Sequence, residues 1–230
     1  MKISLSVVII TFNEERNIGR CIDSVRDIAD DIVVIDSFSE DRTKEICLEK
    51  GVRFIEHAFE GHIQQKNFAI TQAAYPHVLS LDADEAPNEI LCDNIRKVKE
   101  NFEADGYTMN RLTNYCGHWV RHCGWYPDRK LRLWDSRKGQ WTGLNPHDRY
   151  EMEPGSLIKH LPGDLLHYSY YTREDHLKQI QKFTDILAKS MFEAGRRTSW
   201  PGIIAATVFK FIRDYILKLG ILDGKAGFTI

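Results

Sequence analysis

Three carboxylates fall within four positions at Asp82-Ala83-Asp84-Glu85, directly behind the apolar run Val78-Leu79-Ser80-Leu81. Such a run reads as a buried strand, and acids crowded at its end repel one another unless a cation shares the site. While the backbone stays extended, Asp82 and Asp84 point the same way and Ala83 between them takes little room. A pair of this kind can hold a divalent metal through oxygen ligands, completed by water and a substrate diphosphate. The competing reading is an acidic turn that starts the next helix, with Pro87 near its first position. Asp36 also closes an apolar run, where its carboxylate suits a base N–H or a ribose hydroxyl, or simply caps a helix. Lys66, near a helix start, can turn positive charge toward a phosphate or lie solvated on the helix face.

The elements that must place these groups alternate strand and helix. Leu5–Ile10 reads as a strand and Asn13–Val25 as a helix with Asn13 as cap and acids in its first turn. Asp31–Asp36 is a strand with almost no polar interruption, as interior parallel strands require. A helix to about Lys50, a strand at Val52–Ile55, a helix over Gly61–Ala74 and the strand Val78–Leu81 follow. Repeated β-α-β units predict a doubly wound, mostly parallel sheet with right-handed crossovers. Its polar strand ends, Thr11 to Asn13, Asp36, and Asp82 to Asp84, then meet at one edge and form a crevice. No Gly-x-Gly-x-x-Gly and no P-loop follows the first strand, so a bound nucleotide is held by carboxylates, a metal and side-chain amides.

Composition narrows the class. With 230 residues, 43% hydrophobic and 28% charged, the chain has enough material for a sizeable core. A net charge of −2 offers no bulk attraction to nucleic acid. Five cysteines without Cys-x-x-Cys spacing point to reduced thiols and a cytosolic setting. No stretch reaches the ~20 uninterrupted apolar residues of a membrane span, and the short apolar N-terminus is a strand rather than a signal peptide.

Four segments in order, Ser6–Glu15, Asp31–Thr43, Gln65-Lys66-Asn67 and Leu81–Glu85, resemble the family-2 glycosyltransferases, which are inverting enzymes with a GT-A fold. Arg132-Leu133-Trp134, Trp141-x-Gly143, His147-Asp148, His167-Tyr168-Ser169 and Leu222-Asp223-Gly224 are similar to the small bacterial branch that includes lipopolysaccharide-core β-1,4-glucosyltransferases. The resemblance implies that Thr11, Glu14 and Asp36 contact the nucleotide, that Asp82 reaches ribose or base, and that Asp84 ligates Mg2+ or Mn2+. Asn13, Gln65, Lys66 and Arg132 complete the expected donor set, Arg132 either meeting a phosphate or forming a structural ion pair. The chain departs from the family at Phe38, where glycine is usual, and at Asp148, where related sequences often carry Glu.

The second half is expected to serve the acceptor as a β/loop insertion. Pro87–Asn101 reads as a helix, and Gly106–Leu112, Lys130–Trp134 and Gly163–Ser169 as strands. Cys116, His118, His122 and Cys123 lack the two-plus-two spacing of a zinc site. Trp125 and Tyr126 are the acceptor candidates, since aromatic faces stack on sugar rings. An inverting transfer needs a carboxylate to take the acceptor hydroxyl's proton. Asp148 is the first choice, with Asp128 and Glu85 as competitors. His167 completes the metal site, bonds the diphosphate, or is a structural histidine of its strand.

Tyr171–Ala194 reads as an amphipathic helix packing on the sheet. Over Trp200–Leu222, Ile204, Val208, Phe211, Ile212, Tyr215 and Leu219 share one side, and Lys210, Arg213, Asp214 and Lys218 the other. That pattern suits a helix lying on an anionic membrane, or a core or oligomer contact. The expected layout is a GT-A domain over residues 1–195, with a nucleotide-sugar half (1–100) and an acceptor half (101–170), then a C-terminal amphipathic segment over 196–230. The activity expected is hexose transfer, with glucose the candidate sugar, from a UDP-linked nucleotide sugar to a cell-envelope glycan or lipid-linked acceptor at the cytoplasmic face of the inner membrane. A metal-dependent nucleotidyltransferase and a non-catalytic nucleotide- or glycan-binding domain are the alternatives.

Overall fold

Strands that are apolar on both faces need helices on both sides of their sheet, and the N-terminal part of the chain is built on that rule. The structure, a computed structural model, describes residues 2–144, 147–193 and 195–230. It divides into two compact units, Met1–Arg111 with Arg129–His167, and Leu112–Asp128 with Tyr168–Ile230. In the first unit β1 (Leu5–Thr11), β2 (Asp31–Asp36), β3 (Arg53–Glu56) and β4 (His77–Asp82) run parallel in the spatial order β3-β2-β1-β4. The chain moves outward from β1 to β3 and then returns to the other side of β1. This reversal opens a crevice beyond the carboxyl ends of β1 and β4, where Thr11 and Asp82 stand.

Alternate residues of the strands feed two cores. Leu5, Val7, Ile9 and Val34 pack with α1 (Ile18–Val25), α2 (Thr43–Glu49) and α4 (Glu89–Glu100) through Ile18, Ile22, Cys47, Leu91 and Ile95. Val8, Val33, Ile35 and Val78 face the opposite way, onto Ala69 of α3 (His62–Thr71). Beyond β4 the sheet continues through β8 (Asp128–Asp135), β6 (Gly106–Tyr115), β11 (Ile158–Tyr170) and β5 (Glu85–Pro87). β9 (Gly139–Leu144) and β10 (His147–Met152) form a separate hairpin.

Two expected helix starts are corrected. Asp84-Glu85-Ala86-Pro87 does not open a helix: β5 pairs antiparallel with β11, setting His167 opposite Glu85. α4 begins after Asn88, whose side chain accepts from the Leu91 N–H at 2.9 Å. Nor does Asn13 cap the first helix, which starts at Ile18 with no acid in its first turn. Asn13 takes a left-handed conformation, φ 53°, and its side-chain Oδ1 accepts from the Glu40 N–H instead. Phe38 is left-handed too, φ 61°, a conformation that glycine adopts without cost.

The second unit holds β7 (His118–Trp119), α5 (Arg173–Glu193), α6 (Trp200–Phe211), a π-helical stretch over Ile212–Leu217, a 3-10 turn over Gly220–Asp223 and α7 (Gly224–Thr229). The continuous amphipathic helix expected over 200–222 is therefore broken. The widened π turn shifts the side-chain register, and Leu219 is left-handed at φ 57°. Apolar residues of α6 are exposed around its circumference, among them Trp200, Ile204 and Phe209. Leu177, Ile180, Phe183 and Leu187 of α5 are exposed as well, where packing on the sheet was expected. Among the described residues no helix is long and apolar enough to cross a membrane. All five cysteines are free.

Gly163 of β11, at φ +105°, leaves no room for a side chain, because a Cβ would stand 2.5 Å from Leu91 N and 2.7 Å from its Cα. Gly163→Ala is expected to lower stability by about 2 kcal/mol or more, from strain and overpacking together. Urea unfolding checks this, and an unchanged midpoint would mean that β11 and α4 do not approach so closely.

Candidate active site

Two loops close the crevice edge of β1 and β2 and are stitched by side-chain caps. Asn13 N–H donates to Ser39 Oγ at 2.7 Å, Glu14 N–H to Thr43 Oγ1 at 2.9 Å and Glu15 N–H to Asp41 Oδ2 at 3.0 Å. Asp36, 1% exposed, accepts from Ser39 N–H at 2.7 Å and from its hydroxyl at 2.5 Å, so its carboxylate braces the loop. Thr11 is buried and its hydroxyl has no hydrogen-bond partner. Gln65 sits behind this edge, with its amide donating to Ser37 Oγ at 3.1 Å and its oxygen 2.9 Å from His57 Nδ1.

The acidic motif is neutralised from two neighbouring elements. Lys66 of α3 places its ammonium 2.8 Å from Asp148 Oδ2 and 3.2 Å from Asp82 Oδ1. Arg132 of β8 donates to Asp82 Oδ2 at 2.8 Å and to Glu85 Oε1 at 2.6 Å, and Arg111 stands 3.8 Å from the same Glu85 oxygen. Burial alone would raise Asp82, but Lys66 and Arg132 hold it well below the usual carboxylate range. Against its own burial, Arg132 is kept charged by Glu85 and Asp82.

Of the two readings of Arg132, the structural ion pair is the one present. Glu85 is corrected as a candidate base: it is 0% exposed, bound to Arg132, and accepts the Asp82 N–H through its other oxygen. Asp82 meets two cations, with its side chain 28% exposed.

Asp84 and His167 meet at the crevice. β11 carries His167 beside the motif, with Nε2 3.1 Å from Asp84 Oδ2. Burial disfavours the charged imidazole, yet the Asp84 carboxylate prevails and holds His167 above its ordinary range. The Glu14 carboxyl is pushed up to about 7, first by burial, with Asp84 and Asp41 adding repulsion and the Asn17 side chain and His167 opposing.

One carboxylate and one imidazole do not form a closed cage, and among the described residues no group of three or more His, Cys, Asp or Glu is gathered to hold a metal ion. The pair fits a hard divalent cation whose remaining positions go to substrate phosphate and water. His118 and His122 of the second unit instead approach Asp223 Oδ1, at 3.1 and 3.2 Å.

Asp148 reaches the site through an aromatic platform. Trp134 stacks on Tyr150 with centroids 3.8 Å apart, Trp141 packs edge-on against both, and the cluster supports β9 and β10. Asn67 clamps the hairpin by donating to Trp141 O at 2.9 Å and accepting from Trp141 N–H at 3.0 Å. Trp141 in turn lies under Lys66, 4.5 Å from its ammonium. Asn67 and Trp141 were visible in the sequence only as members of motifs, with no role attached. Asn145 and Pro146, which precede His147-Asp148 in the sequence, lie outside the described residues. Trp125, Tyr126 and Asp128 belong to the second unit, where Trp125 packs with Tyr115, Tyr170 and His176, and Arg121 lies over Tyr126.

Comparison with known proteins places this arrangement. Residues 6–152 match the model of Glycosyl transferase family 2. The lipopolysaccharide core biosynthesis glycosyltransferase LpsC of Rhizobium meliloti is 27% identical over 93% of this chain and 81% of its own length. Uncharacterized glycosyltransferases of Rickettsia felis and Rickettsia conorii are 36% and 35% identical, each over 98% of this chain and 83% of the relative. Among solved structures, S. aureus TarS in complex with UDP aligns at 25% identity with a TM-score of 0.40, over 48% of this chain and 36% of that one.

In metal-free protein, Glu14 keeps a proton up to about pH 7 when folded, against its ordinary value of 4.5. Its contribution to stability is present in full below pH 4.5 and is lost as pH rises through about 7. Glu14→Gln is expected to flatten this part of the stability–pH curve in EDTA. Parallel curves for the two proteins would remove Glu14 as the titrating group.

Proposed function

The chain belongs to glycosyltransferase family 2, and from that premise we propose that it transfers a hexose with inversion, using a nucleotide-sugar donor and a cell-envelope glycan or lipid-linked acceptor. The observation that carries this reading is the convergence at the switch point of the first unit. Asp84 is held by His167 there, while Asp148 and Asp82 share Lys66. LpsC, named for lipopolysaccharide core biosynthesis, supports an envelope acceptor.

In this reading Thr11, Glu14 and Asp36 line the nucleoside end, and Thr11 offers its unpartnered hydroxyl. Asp84 and His167 would hold Mg2+ or Mn2+, which when bound supplies positive charge for the departing diphosphate. Lys66 adds its ammonium on the same side. Asp148 takes the acceptor hydroxyl's proton as that oxygen attacks the anomeric carbon, while Lys66 holds its Oδ2 and so orients the carboxylate. Asp128 is the remaining competitor for that role. Trp125 and Tyr126 offer aromatic faces to the acceptor. The exposed apolar residues of α6 are assigned to a peripheral contact with the cytoplasmic face of the inner membrane.

Two substitutions separate these roles. Asp84→Ala should abolish Mn2+-dependent binding of UDP in calorimetry, and unchanged affinity would withdraw the metal assignment. Asp148→Asn should bind donor normally while transfer falls by roughly 10²–10⁴-fold; near-normal turnover would pass the base role to another acid.

A further inference from the structure

The basic residues expected on one face of the C-terminal helix gather on a single acid of their own segment, with Lys210 and Lys218 still exposed. Lys210 and Lys218 direct their ammonium groups to Asp214 at 3.0 and 3.4 Å, and Arg213 donates to it twice, at 2.7 and 2.8 Å. Asp214 is 8% exposed, so three cations of this segment are engaged with one buried carboxylate. Two other cations of the second unit, Arg173 at the start of α5 and Lys225 in α7, pair with no acid among the described residues.

Both line one shallow, open cleft of about 580 Å³, together with Tyr215, Gly224, Phe228 and Thr229. The Tyr215 and Phe228 rings lie 5.7 Å apart, and Phe211 meets them at 5.2 and 5.8 Å. Phe211 and Phe228 are nonetheless 44% and 64% exposed, and Leu222 is 64% exposed, so apolar surface borders the cations.

Each half of this arrangement asks for a different part of one ligand. A guanidinium and an ammonium without carboxylate partners match the oxygens of a phosphodiester, which a guanidinium can take bidentately. Exposed aromatic and aliphatic side chains beside them match an acyl boundary. A soluble phosphate would satisfy the cations and leave the rings in water.

We propose that this cleft binds the headgroup phosphate of an anionic phospholipid, with Arg173 and Lys225 on the phosphate and Phe211 and Phe228 against the acyl chains. The proposal rests on the peripheral membrane reading of the C-terminal helices and locates the lipid selectivity within it. Selectivity for anionic over neutral membrane then resides mainly in the cleft rather than in the basic residues gathered on Asp214.

Flotation of the full chain with phosphatidylcholine vesicles, with and without phosphatidylglycerol, tests it. Wild type should float with the anionic vesicles. The double variant Arg173→Gln/Lys225→Gln should lose about 30-fold in partition, at about 1 kcal/mol per cation near such a surface. Lys178→Gln/Lys189→Gln, which removes the same charge from exposed positions of α5 outside the cleft, should lose at least tenfold less. Circular dichroism and metal-dependent donor hydrolysis should be unchanged in both variants.

Equal losses in the two double variants would make the effect one of net charge and overturn the site. Release of wild type by inorganic phosphate at constant ionic strength would overturn the lipid assignment in favour of a soluble phosphate. If wild type floats with neither vesicle, the membrane reading itself falls; if it floats and the cleft variant floats equally well, only the cleft assignment falls.

Discussion

The candidate site depends on a balance of buried charge. Asp82, Glu85 and Asp148 face Lys66, Arg132 and Arg111, and Glu85 has no exposure at all. Carboxylates so placed would not stay ionised together without the cations, and removing one partner from such a set commonly costs about 3–5 kcal/mol. The arrangement is asymmetric in a useful way. Glu85 is consumed in the interior and Asp82 meets Lys66 and Arg132 at its edge, while Asp84, between them, is turned toward His167. The acidic motif therefore divides into Glu85, fully buried on Arg132, and two acids at the crevice, Asp82 on its two cations and Asp84 beside His167.

α3 is the element that turns this balance into geometry. Three consecutive residues act in three directions: Gln65 onto Ser37 and His57, Lys66 onto Asp82 and Asp148, and Asn67 onto the backbone of Trp141. Through them the loop edge of β1 and β2, the acidic motif and the β9–β10 hairpin are held to one helix. The aromatic cluster of Trp134, Trp141 and Tyr150 completes the support, and Trp141 contributes its ring face to Lys66. Arg132 Nε and Trp141 Nε1 are buried without hydrogen-bond partners, each a cost of roughly 1–3 kcal/mol that this packing has to offset.

The second unit follows a similar logic with a different outcome. Asp214 gathers Lys210, Arg213 and Lys218, while Asp223 gathers the imidazoles of His118 and His122 and the Arg121 and His122 N–H groups. A helical wheel drawn on the sequence assigns those cations to solvent. They do stay at the surface, but a single buried acid on the same segment ties them together, and the apolar residues are left exposed around α6 instead of along one stripe.

Much of the first unit was legible in the chain itself. Uninterrupted apolar strands, acids and polar groups at their ends, and helices of the right length specify a doubly wound sheet and its crevice, because periodicity and burial are local properties. The family resemblance was carried by four motifs whose order and spacing no folding step alters. What the sequence could not apportion was which charge meets which. Lys66 and Asp148 are 82 positions apart and Arg132 and Asp82 are 50 apart, so their pairing follows from strand order and register alone. Glu85 looked like a helix start or a reserve base until β11 supplied a pairing partner for its backbone and β8 a guanidinium for its carboxylate. The sequence by itself determined the sheet, the crevice and the inventory of chemical groups; only the tertiary structure decided their roles, because a carboxylate's role depends on the nearest opposite charge, and that charge is delivered by a distant part of the chain.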